Sequence, residues 1–258
     1  MERDKADDFF RGVYQIETVF EGGKAKFPIF YREASSVTAL FPASMSGLRR
    51  IMPGREFHPL PVLPGVGALA VTAFNYRDTD IGPYNEVSIS VPISYGAPPL
   101  LPAAGLLAAL RRGEFHVYIH HLPVTTKIAL DGGVIVYNYP KFLSEIAFEE
   151  AGDHVFVKLE QEGRFILSMK VGKLPAGAGR RFRFLTYPVK EGRAQVAPVL
   201  FNAGRMGVSF SGGAAELELG GEHPVAVETK KLLLRRRPLQ VQYVPEFQAI
   251  LYGPALLE

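Results

Sequence analysis

Twenty prolines and 26 glycines are scattered over all 258 residues of this chain instead of being pooled in one linker. Neither residue suits a helix interior: proline removes a hydrogen-bond donor, and glycine loses the most backbone entropy on ordering. Long helices are therefore excluded over most of the length. The segments between these punctuation marks are short and rich in β-branched and aromatic residues, which pack well on a pleated, half-buried surface. Strands are predicted over 13–20, 27–32, 67–75, 86–95, 114–121 and 134–139. A hairpin is predicted from 154–161 and 164–171, with Glu162-Gly163 at its turn. A second pairs 180–189 with 193–201 around Lys190-Glu191-Gly192, and 239–251 closes the chain as a last strand.

Helices are few. Ser44 or Ser46 can cap a turn or two that end before Pro53. The 103–112 segment puts Leu106, Leu107 and Leu110 on one face and stops at Gly113. A short helix over 125–131 is expected to end at Gly132-Gly133 and feed the 134–139 strand, and another covers 224–231. The expected fold is mainly β (α+β): an antiparallel double sheet, or a distorted barrel or cone enclosing a central cavity. No break in composition divides the chain, so one domain over 1–258 is expected.

Bulk properties narrow the function classes. A net charge of +3 with 21% charged residues is too weak a bias to indicate nucleic acid or a membrane as partner. The absence of cysteine excludes disulfides and thiolate chemistry. With no apolar signal core near the first residues, a cytoplasmic address is expected. His116 and His120, with Glu114 and Tyr118, share a strand face, but four residues along a strand span about 13 Å, too far for both imidazoles to clasp one ion unless the strand bends. No metal is expected. Lys230-Lys231 and Arg235-Arg236-Arg237 flank an aliphatic run without interleaved aromatics, which reads as a solvated face. No phosphate-cradling glycine loop and no nucleophile elbow are present.

Two positions carry chemistry. In Val136-Tyr137-Asn138-Tyr139-Pro140-Lys141-Phe142 a lysine stands behind a proline in an apolar and aromatic run. A free lysine has a pKa of about 10.4, and burial disfavours its charged form, which is how a lysine becomes a nucleophile toward carbonyl compounds. The other reading is a strand-end lysine whose stem covers apolar surface while its ammonium stays in water. Glu86 opens a strongly apolar strand after Tyr84-Asn85, and is either a carboxylate at the mouth of a pocket or a surface residue.

The order of these features resembles the acetoacetate decarboxylase family and its wider superfamily. It comprises an early strand, a short helix ending in Leu48-Arg49-Arg50-Ile51-Met52-Pro53, the Tyr84-Asn85-Glu86 strand, the Gly133-to-Lys141 segment and a closing aromatic strand. The resemblance implies that Lys141 forms a Schiff base and that Glu86 lies beside it to orient substrate or move protons. It further implies a pocket lined by Tyr84, Tyr137, Tyr139 and Phe142, with Arg32 meeting a substrate carboxylate. The substrate would be a small β-keto acid that loses carbon dioxide without a cofactor. Aldol or dehydration chemistry on a related carbonyl, or a ligand-binding barrel without turnover, are the alternatives. A homo-oligomer using 244–257 as contact surface is also implied. Two departures stand out: Phe142 replaces the second lysine that usually follows the reactive one, and Gly133-Val134-Ile135 replaces a glycine-arginine-glutamate pattern. The family is itself the usual example of a lysine activated by a neighbouring cation, so that device is missing here in its usual form.

Overall fold

A computed structural model describes residues 8–99 and 101–257 of the chain. The first seven residues, read above for an export signal, and Leu100 lie outside the described residues. Seven strands close into a barrel in the order Tyr84–Tyr95, Val66–Thr79, Ile29–Ser44, Gln240–Leu251, Arg193–Ser209, Arg181–Thr186 and Glu114–Val124, and the last pairs back with the first. All neighbours in this ring are antiparallel except Arg181–Thr186 with Glu114–Val124. Closure leaves these strands without a free edge. Glu145–Ala151, His154–Gln161, Arg164–Gly172 and Ala215–Leu219 form a separate four-stranded antiparallel sheet.

Strand parity decides what each face buries, because successive side chains point to opposite sides. Val37, Phe41, Leu69, Val71, Val87 and Ile89 leave the barrel outward and pack against Val157, Leu159, Leu167 and Met169 of the second sheet. Each such side chain contributes about 1.5–3 kcal/mol when fully buried. The interior collects the residues of opposite parity: Tyr31, Tyr76, Tyr84, Val124, Phe201 and Phe247 cluster there with Tyr137 and Tyr139. The outer layer is thus mainly aliphatic and the interior richer in aromatic rings that carry hydroxyl groups.

Both expected architectures are therefore realised together, a barrel with a second sheet laid on it. The Ile29–Ser44 and Arg193–Ser209 strands run longer than predicted. Their extensions are rich in alanine, serine and glycine, weak strand formers, and are held by pairing on both sides across irregular register. The 154–172 hairpin forms as expected, with Glu162 and Gly163 at φ of 51° and 71°. The Ala104–Arg112 helix stops at Gly113, yet Leu107 and Leu110 remain exposed. None of the described helices is long and apolar enough to cross a membrane.

One expected element is wrong. Residues 134–139 are not a strand: Gly132-Gly133 do not end the preceding Lys127–Asp131 helix, which widens into a π-helical turn over Gly132–Val136. The turn is stopped by Asn138 at φ 55°, with Asn138 N–H donating to the Val134 carbonyl at 3.2 Å and Tyr139 N–H to that of Gly133 at 3.0 Å. Val134 and Ile135, whose branched side chains suggested a strand, point into solvent.

Candidate active site

Parity places the first site residue. On the Tyr84–Tyr95 strand Val87 and Ile89 face the second sheet, so Glu86 turns inward, opposite Phe74 on one neighbour and Val124 on the other. Lys141 begins a three-residue strand that runs parallel to Glu114–Val124, with Leu122 as its partner. The two side chains meet: Lys141 Nζ lies 2.7 Å from Glu86 Oε2, with only 5% and 8% of the side chains exposed. The lysine stem passes directly over Gly133, where a Cβ would stand 2.3 Å from Lys141 Cδ. Only glycine leaves that path open, which gives Gly133 a reason independent of the turn it sits in.

Tyrosines surround the pair. Tyr76 donates to Glu86 Oε1 at 3.3 Å, so both carboxylate oxygens are engaged. The Tyr84 ring centroid lies 5.8 Å from Lys141 Nζ. Tyr31 and Tyr84 share one hydrogen bond of 3.3 Å between their hydroxyls, which leaves one hydroxyl proton of that pair available. Thr186 donates to the Ala197 carbonyl at 2.9 Å, so at the 2.6 Å contact it is Tyr139 that donates to Thr186. The Tyr137 hydroxyl donates to the Leu251 carbonyl at 3.2 Å. Burial, reinforced for Tyr31, Tyr76 and Tyr84 by the Glu86 charge, pushes these phenols well above their ordinary range. Tyr137 and Tyr139 are raised too, again chiefly by burial. All five therefore stay protonated at any physiological pH.

Beside the amine is a cavity of about 10 Å³, lined by Tyr31, Ile81, Ile128, Ala129, Gly133, Tyr137, Tyr139 and Lys141 among others. That is room for roughly one water. Of the residues anticipated from sequence, Lys141, Glu86, Tyr84, Tyr137 and Tyr139 come together here. Arg32 and Phe142 do not. The Arg32 guanidinium is held by Asp80 Oδ1 at 2.6 Å and does not line the cavity, because its neighbour Tyr31 takes the inward position. Phe142, one residue past the lysine, turns to the outer face and stacks on His223 at a centroid distance of 6.4 Å. Tyr31, Tyr76 and Gly133 were missed. Tyr76 lies directly opposite Tyr84 on the adjacent strand, a register that neither segment displays alone.

The profile of the acetoacetate decarboxylase (ADC) family matches residues 19–244, most of the chain. The chain belongs to the acetoacetate decarboxylase family. Its fold is shared by solved structures of that family at low identity. An acetoacetate decarboxylase from Legionella pneumophila is 13% identical with a TM-score of 0.65, over 98% of this chain and 95% of that one. A second acetoacetate decarboxylase is 14% identical with a TM-score of 0.61, over 89% of each chain. The enduracididine biosynthesis enzyme MppR, solved in complex with pyruvate, is 13% identical with a TM-score of 0.59, over 89% of this chain and 90% of that one. No curated protein sequence matches the chain. Identities this low bear on the fold alone.

Proposed function

We propose that the protein is a Schiff-base lyase in which Lys141 condenses with a small carbonyl substrate, the leading case being decarboxylation of a β-keto acid. The observation that carries this reading is the buried 2.7 Å contact between Lys141 Nζ and Glu86. A carboxylate at that distance can take the ammonium proton as the amine attacks the carbonyl carbon. It can then return the proton to the carbinolamine oxygen, which departs as water and leaves an iminium. The iminium accepts the electron pair of the breaking carbon–carbon bond as carbon dioxide leaves. Protonation of the enamine and hydrolysis free the ketone and restore the amine. The available hydroxyl proton of the Tyr31–Tyr84 pair is suited to hold a substrate oxygen. A keto acid is larger than one water, so its entry requires the wall around the cavity to yield. The bound pyruvate of MppR supports a keto acid as the ligand class. One domain over 1–258, working as a cytoplasmic homo-oligomer, completes the proposal.

A second reading has its own support. Among the described residues that line the cavity, Lys141 is the sole cation, so nothing there matches a carboxylate once the lysine has become an iminium. Aldol or dehydration chemistry on a less charged carbonyl passes through the same enamine and needs no such clamp. Incubation with acetoacetate and borohydride, followed by peptide mass spectrometry, tests the common step: one adduct at Lys141 is expected, and none in Lys141→Ala. Labels scattered over surface lysines would remove the covalent mechanism. Carbon dioxide release separates the two branches.

A further inference from the structure

Outside the site, one cluster has the composition and the spacing of a metal centre. The Glu114–Val124 strand pairs with Tyr84–Tyr95 through a register shift, with Ile89 opposite His121 but Ser90 opposite Ile119. His120 is the extra residue of this bulge. Consecutive strand residues ordinarily face opposite ways, yet here His120 and His121 both reach Glu228 of the Pro224–Leu232 helix. Each Nε2 lies 2.9 Å from Glu228 Oε2, and the two ring centroids are 4.2 Å apart. The three donor atoms all fall within 4.8 Å of one another. Side-chain exposures of 14%, 19% and 41% leave the cluster open to an ion from solvent. His116, weighed with His120 in the sequence, is elsewhere: its Nδ1 meets the Tyr187 hydroxyl at 2.6 Å.

We propose that His120 Nε2, His121 Nε2 and a Glu228 carboxylate oxygen bind a divalent transition metal ion, with Zn²⁺ the best fit and water in the remaining position. Two imidazoles and a carboxylate with an open fourth place are a recurring zinc set. Tetrahedral Zn–N bonds of about 2.0–2.1 Å put neighbouring ligand atoms about 3.3 Å apart. The 2.9 Å nitrogen–oxygen separations need spread only slightly to admit the ion. Ligation turns each Nε2 lone pair to the metal while the ring proton resides on Nδ1, so both imidazoles stay neutral. The ion would tie the 224–232 helix to the barrel wall at the strand whose Leu122 pairs with Lys141. It lies on the face opposite the cavity, so it clamps the fold and does not touch substrate.

The test uses the full chain, stripped with a chelator and titrated with Zn²⁺ by calorimetry and with Co²⁺ by visible absorption. One ion per chain, the intense ligand-field bands of low-coordinate cobalt and a Tm that rises with Zn²⁺ concentration are expected. His121→Ala and Glu228→Gln should each weaken binding about 10-fold or more. His154→Ala, which removes an exposed histidine beside Asp153, should leave it unchanged. Glu228→Gln keeps the side chain's size and one acceptor oxygen, so its metal-free Tm reports whether the fold survived. No saturable uptake by the parent protein, or uptake at the parent's affinity in a folded Glu228→Gln protein, overturns the proposal.

Discussion

Gly133→Ala separates positioning from folding more sharply than any change to the lysine itself. The new methyl would stand 2.3 Å from Lys141 Cδ and 2.5 Å from Cε, where ordinary contact begins at 3.4 Å. The stem must therefore shift by about 1.1 Å, and it is already enclosed, with 5% of the side chain exposed. A misplacement near 1 Å at a reacting group costs about 10²-fold in rate. Borohydride trapping of an acetoacetate adduct at Lys141 is accordingly expected to slow about 100-fold. Stability should change little. Overpacking costs about 1–3 kcal/mol, partly offset by the 0.5–1 kcal/mol that alanine gains over glycine in helical backbone. The net corresponds to a Tm loss of a few degrees in a chain of this length. Paired measurements of trapping rate and thermal unfolding check both halves. A folded variant that traps at the parent rate would show that the lysine's passage over Gly133 does not position the amine.

Three other outcomes follow from the same geometry. Phe142→Lys restores the family's second lysine in sequence, but parity directs it to the outer face near His223; trapping should stay within a few-fold of the parent while Tm falls from lost packing. A trapping rate raised well above the parent's would contradict that placement. Asp131 accepts from Lys127 and, at 3.0 Å, from the Gly22 N–H; the lysine's hydrogen bond, against burial, holds its carboxyl below the usual range. A depressed carboxyl contributes stability above its unfolded pKa of about 3.9 that is lost as pH falls toward the folded value, so Asp131→Asn should flatten that acid limb in a Tm–pH series. Finally, Glu86→Leu and Lys141→Met should each lower stability alone, by about 3–5 kcal/mol, because each strands a buried charge. Combined they should recover most of the loss in denaturant unfolding, and additive losses would mean the two groups do not act as a pair.

Much of this was legible in the sequence. The scattered prolines and glycines announced a β fold, and family order singled out Lys141 and Glu86, which the barrel then brings into contact. Arg32 and Phe142 fall outside the cluster by one residue of parity. Arg32 was singled out by the family resemblance, yet an aromatic interior selects the adjacent Tyr31 and leaves the guanidinium to Asp80. Phe142 follows the same rule on the other side of Lys141. The branched run Val134-Ile135-Val136 misled because β propensity measures fit to a buried pleat, and Val134 and Ile135 are exposed. The pairing of His120 with His121 rests on a bulge, which is a property of two strands in register and invisible in either one.

The interior of the barrel works as a closed proton system. Its phenols are held protonated by burial, so they can donate but cannot compete for a proton with Glu86. The 2.7 Å contact between Lys141 Nζ and Glu86 Oε2 is thus the path left for a proton in this interior. Tyr76 fixes the far oxygen of the carboxylate, which keeps the near oxygen pointed at Nζ. The same pairing that steadies an ammonium also supplies the base that removes its proton, and attack is favoured only when a substrate displaces water from a space that holds about one molecule. Charge matching then governs which substrate gains most. With no second cation among the described residues of the cavity wall, a substrate carboxylate entering beside Glu86 would be repelled until it was lost as neutral carbon dioxide. Relief of that repulsion as the charge departs would lower the barrier from the bound state, so the missing clamp is compatible with decarboxylation while demanding a higher substrate concentration.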